Sequence, residues 1–203
     1  MPACHWPEDP MHVIAQFEAR HGNSESGALF LFAVWAVESL YYLGDLDRAL
    51  DPSQATVGDH VGDVVDVAHA RWAMGTCITA LDLGAAALGR ALCAHTGTRA
   101  LDLGDFNLDA ERTQKRAARL RANLPAQARQ WIDNVIKDPD YKQIKAARDS
   151  LTHARVSRHF TVPRQRLRLQ FGDDRLDVPT IIDCAKDVGS KHVSLLLAIL
   201  PEL

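Results

Sequence analysis

The stretch VGDHVGDVVDVAHARWAMGTCITALDLGAAALGRALCA, Val57 to Ala94, decides the fold class. Its apolar residues Val64, Val67, Ala68, Ile78, Leu81 and Leu88 return at helical spacing, which predicts one long helix or two in line. At a rise of about 1.5 Å per residue such a helix crosses a whole small domain, so it reads as a member of a helical bundle. Gly75, Gly84 and Gly89 mark places where a neighbouring helix comes close or the axis bends.

On the N-terminal side, Val13, Ile14 and Phe17 predict a short helix over 11–21 that Gly22 and Asn23 stop. Ser24 to Ser26 offer N-caps for an apolar helix over 29–43, with Leu29, Phe32, Trp35 and Ala36 recurring at helical spacing and Gly44 as its end. On the C-terminal side, His95 to Asp109 is rich in Gly, Thr and Asp and reads as a loop. Glu111 to Asn123 is a basic helix with Arg112, Arg116 and Arg119 on one face. Pro125 suits the first turn of a helix over 126–137 that turns Trp131, Ile132 and Val135 inward. Asp138 and Pro139 then supply an N-cap and a first-turn proline for a helix running to about Arg158.

Beyond it the period changes to two. In Arg164 to Phe171 the residues Arg164, Arg166 and Arg168 share one face, and Leu167, Leu169 and Phe171 the other. Gly172 to Asp174 predicts a turn and Arg175 to Val178 a return strand. Pro179 opens a last helix to about Leu200, with Ile182, Val188, Leu195 and Ile199 as core candidates. The expected fold is mainly α: an up-and-down helical bundle in one domain, 1–203, with a small C-terminal antiparallel β-hairpin over 164–178 and a closing helix over 179–200.

A chain of 203 residues, 47% of them hydrophobic, can bury a substantial core. The longest apolar run, Ala28 to Val37, is too short for a membrane span, and Glu8 and Asp9 stand where a signal peptide needs positive charge. These features point to a cytoplasmic protein with no membrane partner. Cys4, Cys77, Cys93 and Cys184 are far apart in sequence and form no ligand pair, so they read as idle thiols. The net charge of -3 conceals an asymmetry: residues 1–98 carry -8, and residues 112–168 carry +11. The basic block could attract a polyanion, or dock on the acidic half of its own chain or of a partner.

Within that block, KQIKAARDSLTHAR, Lys142 to Arg155, holds the candidate chemistry. On a wheel of about 100° per residue starting at Tyr141, Ile144 and Leu151 fall near 300° and 280°, and Arg148 falls near 340° on the same packed side. An Arg there is either a stem-buried ion pair or a functional group at a crevice. Asp149, near 80°, lies four residues before His153, near 120°, so it can hold the imidazole and favour its cationic form. Arg148 and His153 diverge by about 140° on a straight helix, so a bend or a second copy of the helix across a two-fold dimer would be needed to focus both on one phosphate.

Arg148-Asp149-Ser150-Leu151-Thr152-His153 resembles the signature of the HEPN superfamily, an Arg followed by a polar residue and, after four to six intervening residues, a His, late in an all-helical bundle. Tyr141, Ile144, Lys145 and Arg155 also look like that family, and the resemblance covers about 141–158. It implies a HEPN-like core over roughly 28–160 and a metal-independent endoribonuclease of a toxin-antitoxin, phage-defence or RNA-processing system. It further implies a homodimer with the motif at the interface, RNA as substrate and, in some members, an antitoxin or other partner protein. Members without known catalysis imply the alternative, a noncatalytic module that binds nucleic acid, a nucleotide or a protein. Where one toxin subgroup has a Tyr two residues after the His, this chain has Arg155.

In the catalytic reading an RNA 2'-hydroxyl loses a proton, attacks the adjacent phosphorus and expels a 5'-oxygen that gains one. His153 acts as general base or acid, Arg148 stabilises the charge on the phosphorane oxygens and Asp149 orients His153. No metal or cofactor is called for, and DNA would resist. Arg112, Arg116, Arg119, Arg155, Arg164, Arg166 and Arg168 are the candidate contacts to the RNA backbone, with a charge-protected hairpin edge as the other reading of the last three. Asp59, His60, Asp63, Asp66 and His69 could form a divalent-metal site, but their place at a helix start also suits a solvated acidic N-terminus.

Overall fold

The computed structural model describes residues 6, 8–50, 59–93, 101–109, 111–152, 168–171 and 174–203. It has seven α-helices among these residues: α1 (Pro10–His21), α2 (Ser24–Ala49), α3 (Asp59–Leu92), α4 (Gln114–Ala122), α5 (Ala126–Lys137), α6 (Pro139–Thr152) and α7 (Val178–Ile199). A two-stranded hairpin, β1 (Arg168–Phe171) and β2 (Asp174–Asp177), precedes α7, and a 3-10 turn at Leu103–Phe106 lies between α3 and α4. The chain is therefore a mainly-α bundle with a C-terminal hairpin.

The bundle is built around α3, which packs against α2, α6 and α7. Met74, Cys77, Leu81 and Leu88 of α3 are fully buried with Val37 and Leu40 of α2 and Val193 and Leu196 of α7. A fully buried side chain of this size contributes roughly 1.5–3 kcal/mol. Gly84 is the close-approach point the sequence predicts. A Cβ there would lie 2.7 Å from Leu196 Cδ2 and 3.1 Å from Trp131 Cη2, so only glycine admits both. Gly22 ends α1 with φ 61, a left-handed backbone suited to glycine, and its N–H returns to the Glu18 carbonyl.

Two features of α2 depart from the sequence reading. Asn23 is its N-cap, accepting from the Ser26 N–H at 3.1 Å, and Gly44 does not end it, because burial of Leu40, Leu43 and Asp47 on either side outweighs the roughly 1 kcal/mol cost of one helical glycine. The buried face is Phe30, Ala33, Val34, Val37 and Leu40, whereas Phe32 and Trp35 are each 50% exposed. A helix apolar around most of its circumference has a clear period but no clear inward side.

By length and composition α2 and the Val65–Leu92 part of α3 are each apolar enough to cross a membrane, with mean hydropathy 1.4 and 1.2. The α3 window is 67% buried inside the bundle, as a core helix requires, and the α2 window 44%.

The hairpin pairs Leu169 with Leu176 and Phe171 with Asp174, and it buries Leu169 and Phe171 as the alternation predicts. Asp177 ends β2 and caps α7, accepting from the Thr180 N–H at 3.1 Å. On α7, Ile182 and Val188 are buried as expected, but Leu195 is 43% exposed.

Candidate functional site

Helix α6 begins where the sequence places it. The Asp138 carboxylate accepts from the Asp140 and Tyr141 N–H groups at 2.9 and 3.3 Å, satisfying two of the donors that a helix start leaves open. Its other oxygen meets Lys191 Nζ and His192 Nε2, both at 2.8 Å, which ties the start of α6 to α7. Hydrogen bonds from Lys191, His192 and the two N–H groups outweigh burial and hold this carboxyl at about 2. Burial pushes His192 below the ordinary imidazole value, against the pull of Asp138.

One turn on, Tyr141, Ile144 and Ala147 are buried in a row, and Arg148 follows on the same side with 34% of its side chain exposed. Arg148 is not sealed in the core. Its Nε and Nη2 donate to Asp149 Oδ1 at 2.9 and 2.7 Å, the long side chain folding along the helix to reach its neighbour. Below it, burial raises the Asp82 carboxyl, while the Leu103 N–H and the charges of Lys145 and Arg148 act in the opposite direction. Burial and the Asp82 charge raise the Tyr141 phenol.

His153, Arg155, Arg164 and Arg166 lie outside the described residues. Asp149 is thus seen with Arg148, and its expected contact with His153, like the expected run of this helix to about Arg158, falls outside the described residues. Arg168 is exposed on β1 opposite Asp177.

Helix α4 starts at Gln114, so Arg112 precedes it. Arg112 and Arg119 are exposed, and Arg116 Nη1 lies 3.3 Å from the buried Asp105. Arg121, absent from the candidate residues, is buried: it donates to the Phe106 carbonyl at 3.2 Å and to Asp133 at 2.7 Å. Its place about 180° from Arg112 on the wheel is the signal that separates it from the exposed Arg face.

Asp66 and His69 are also buried, which corrects the reading of a solvated helix start for these two. His69 Nδ1 lies 2.8 Å from Asp47 Oδ1 and joins α3 to α2. Among the described residues no group of three His, Cys, Asp or Glu is placed to hold a metal ion. The side chains of Asp59, His60 and Asp63 lie outside the described structure.

What the sequence reading missed is a groove of about 560 Å³ beside Arg148. Helix α2 contributes Phe32, Trp35, Ala36 and Ser39 to it. From α3 come Arg71, Trp72, Gly75, Thr76 and Thr79, and Arg148 is the contribution of α6. Trp35 and Trp72 are 50% and 52% exposed, and Phe32 meets Trp35 edge-on with ring centroids 5.6 Å apart. The groove thus joins half-open aromatic rings to two guanidinium groups, with no acid among its described lining residues. Such a surface can stack planar groups and hold an anion.

No protein-family model matches the chain, and no curated protein or solved structure matches it significantly.

Proposed function

We propose that the protein is a metal-independent endoribonuclease of HEPN type, acting as a homodimer in which each copy supplies Arg148, Asp149 and His153. The observation that supports this reading is the position of Arg148, one-third exposed at the rim of an open groove. An exposed ion pair such as Arg148 with Asp149 is worth only about 0–1 kcal/mol, so a phosphate can compete for the guanidinium. In this reading Arg148 stabilises the phosphorane, His153 moves the proton of the 2'-hydroxyl or of the leaving 5'-oxygen, and Asp149 positions the charged pair. The biological setting is that of a toxin, a phage-defence factor or an RNA-processing enzyme.

The test is cleavage of a labelled single-stranded RNA by the full-length protein in excess EDTA. The expected products end in a 2',3'-cyclic phosphate, and His153→Ala and Arg148→Ala should each lower the rate by at least about 100-fold. A 2'-deoxy substitution at the cleaved position should abolish cutting. An inactive wild type, or a His153→Ala variant as active as wild type, refutes the nuclease reading. The Arg148 to Asp149 pair favours a second reading, a noncatalytic RNA-binding module, and binding without cleavage in the same assay selects it.

A further inference from the structure

We infer that the groove between α2 and α3 is a stacking site for the bases of single-stranded RNA, with Trp35 and Trp72 as platforms and Arg71 and Arg148 on the flanking phosphates. The inference rests on RNA being the ligand and adds where, and by what chemistry, this chain grips it. Three observations carry it.

The first is what stands exposed. Two indoles and a phenyl ring, each about half open to solvent, line one groove of about 560 Å³, within the roughly 300–1,000 Å³ typical of small-ligand sites. Every base has a π-face, so aromatic platforms hold unpaired bases without regard to sequence.

The second is charge. Residues 1–98 contain only four Lys and Arg against twelve Asp and Glu, yet Arg71, one of those four, lines this groove, and Arg148 reaches it from the basic half. A cationic aromatic surface in an acidic half of the chain complements a polyanion with planar bases.

The third is Gly75. It lies in the groove wall within α3, and among the described residues nothing comes within 4 Å of where its Cβ would sit. Helix packing does not call for glycine here, unlike at Gly84. A missing side chain keeps this part of the groove wall open.

The experiment is titration of the full-length protein with an eight-nucleotide single-stranded RNA, read by tryptophan quenching and by fluorescence anisotropy of a labelled RNA. His153→Ala serves as the background, so that cleavage does not intrude. Single-stranded RNA should quench; an abasic ribose-phosphate oligomer and a blunt RNA duplex should bind far more weakly. Trp72→Leu and Gly75→Leu should each weaken binding on the order of tenfold to a hundredfold, the latter while keeping every aromatic and charged group and the helical circular dichroism. Unchanged affinity in a folded Gly75→Leu protein overturns the site, as does equal binding of the abasic oligomer. A groove that seats a second copy would show itself differently: Gly75→Leu would turn a dimer into a monomer in light scattering and leave RNA affinity intact, which also overturns the proposal. Binding that Gly75→Leu abolishes, beside a wild type that cuts nothing, refutes the nuclease reading alone; cleavage that Gly75→Leu leaves intact refutes the groove alone.

Discussion

Replacing Asp138 by alanine removes three connections at once: the cap on α6, the ion pair to Lys191 and the hydrogen bond to His192 Nε2. Loss of the cap costs about 1 kcal/mol. The His192 ring is 1% exposed, its Nδ1 is buried without a hydrogen-bond partner among the described residues, and leaving Nε2 unsatisfied as well costs about 1–3 kcal/mol. The carboxyl gives a second route to the same quantity: moving it from 3.8 to about 2 corresponds to roughly 2 kcal/mol. The Asp138→Ala variant should therefore lose about 2–4 kcal/mol at pH 7, a fall in Tm on the order of 5–15 °C for a chain of this size. Asp138→Asn keeps a capping oxygen and should lose less. The pH dependence has a defined sign. The folded carboxyl lies below its unfolded value, so its contribution is complete above about 3.8 and lost as pH falls through about 2. His192 is likewise depressed, so its neutral form stabilises the fold above the ordinary 6.5 and that contribution fades as pH drops below it. Urea unfolding followed by far-UV circular dichroism at pH 7, 5 and 3 measures both. In Asp138→Ala the loss of stability below pH 4 should be shallower than in wild type, whereas the loss between pH 6.5 and 5 should remain. A variant within about 0.5 kcal/mol of wild type at pH 7 would refute the idea that Asp138 anchors α6, the helix that carries Arg148.

The glycines of α3 should separate in the same assay. Gly84→Ala forces a Cβ against the buried Leu196 and the stiff Trp131 ring and should cost about 1–3 kcal/mol, whereas Gly75→Ala meets nothing and should gain about 0.5–1 kcal/mol; the reverse order would show that α3 packs otherwise. The thiols offer a chemical check in a Cys4→Ser background. Burial pushes Cys93 and Cys184 up to about 11 and Cys77 higher still, so at pH 8 the first two should react with a disulfide reagent on the order of a hundredfold slower than a free cysteine, and Cys77 only on unfolding. Native Cys77 labelling at the rate of a small thiol would contradict its burial between α3 and α7.

The helices that were legible in the sequence are those with one apolar side and a chemical stop. Over 126–137 the pattern of Trp131, Ile132 and Val135 gave both the span and the buried face of α5, and Asp138 with Pro139 marked the start of α6. On α6 the wheel put Tyr141, Ile144 and Arg148 on one side, and the first two are buried with Arg148 at their edge. Legibility failed where local pattern carries no information about direction. Helix α2 is apolar nearly all round, so its spacing predicts a helix but not a side, and Phe32 and Trp35, two of the residues that carry that spacing, stand half exposed. The pairing of His69 with Asp47 spans 22 residues, and that of His192 with Asp138 spans 54; no local reading of charge reaches so far.

The ambiguous side of α2 and the groove have one physical origin. A bundle needs about one apolar stripe per helix, and α2 has enough apolar residues for two. The inner stripe, Phe30 to Leu43, meets α3 and α7, which leaves Phe32 and Trp35 to open outward beside Trp72. The basic block divides in a similar way. Arg121 is held by Asp133 and the Phe106 carbonyl, Arg116 approaches Asp105, and Lys145 and Arg148 act on Asp82, so part of the +11 segment is balanced inside the fold. Arg112, Arg119, Lys142 and Arg168 remain exposed. Apolar surface beyond what packing uses, and exposed positive charge beyond what the interior neutralises, are the two properties a single-stranded polyanion with planar bases would exploit.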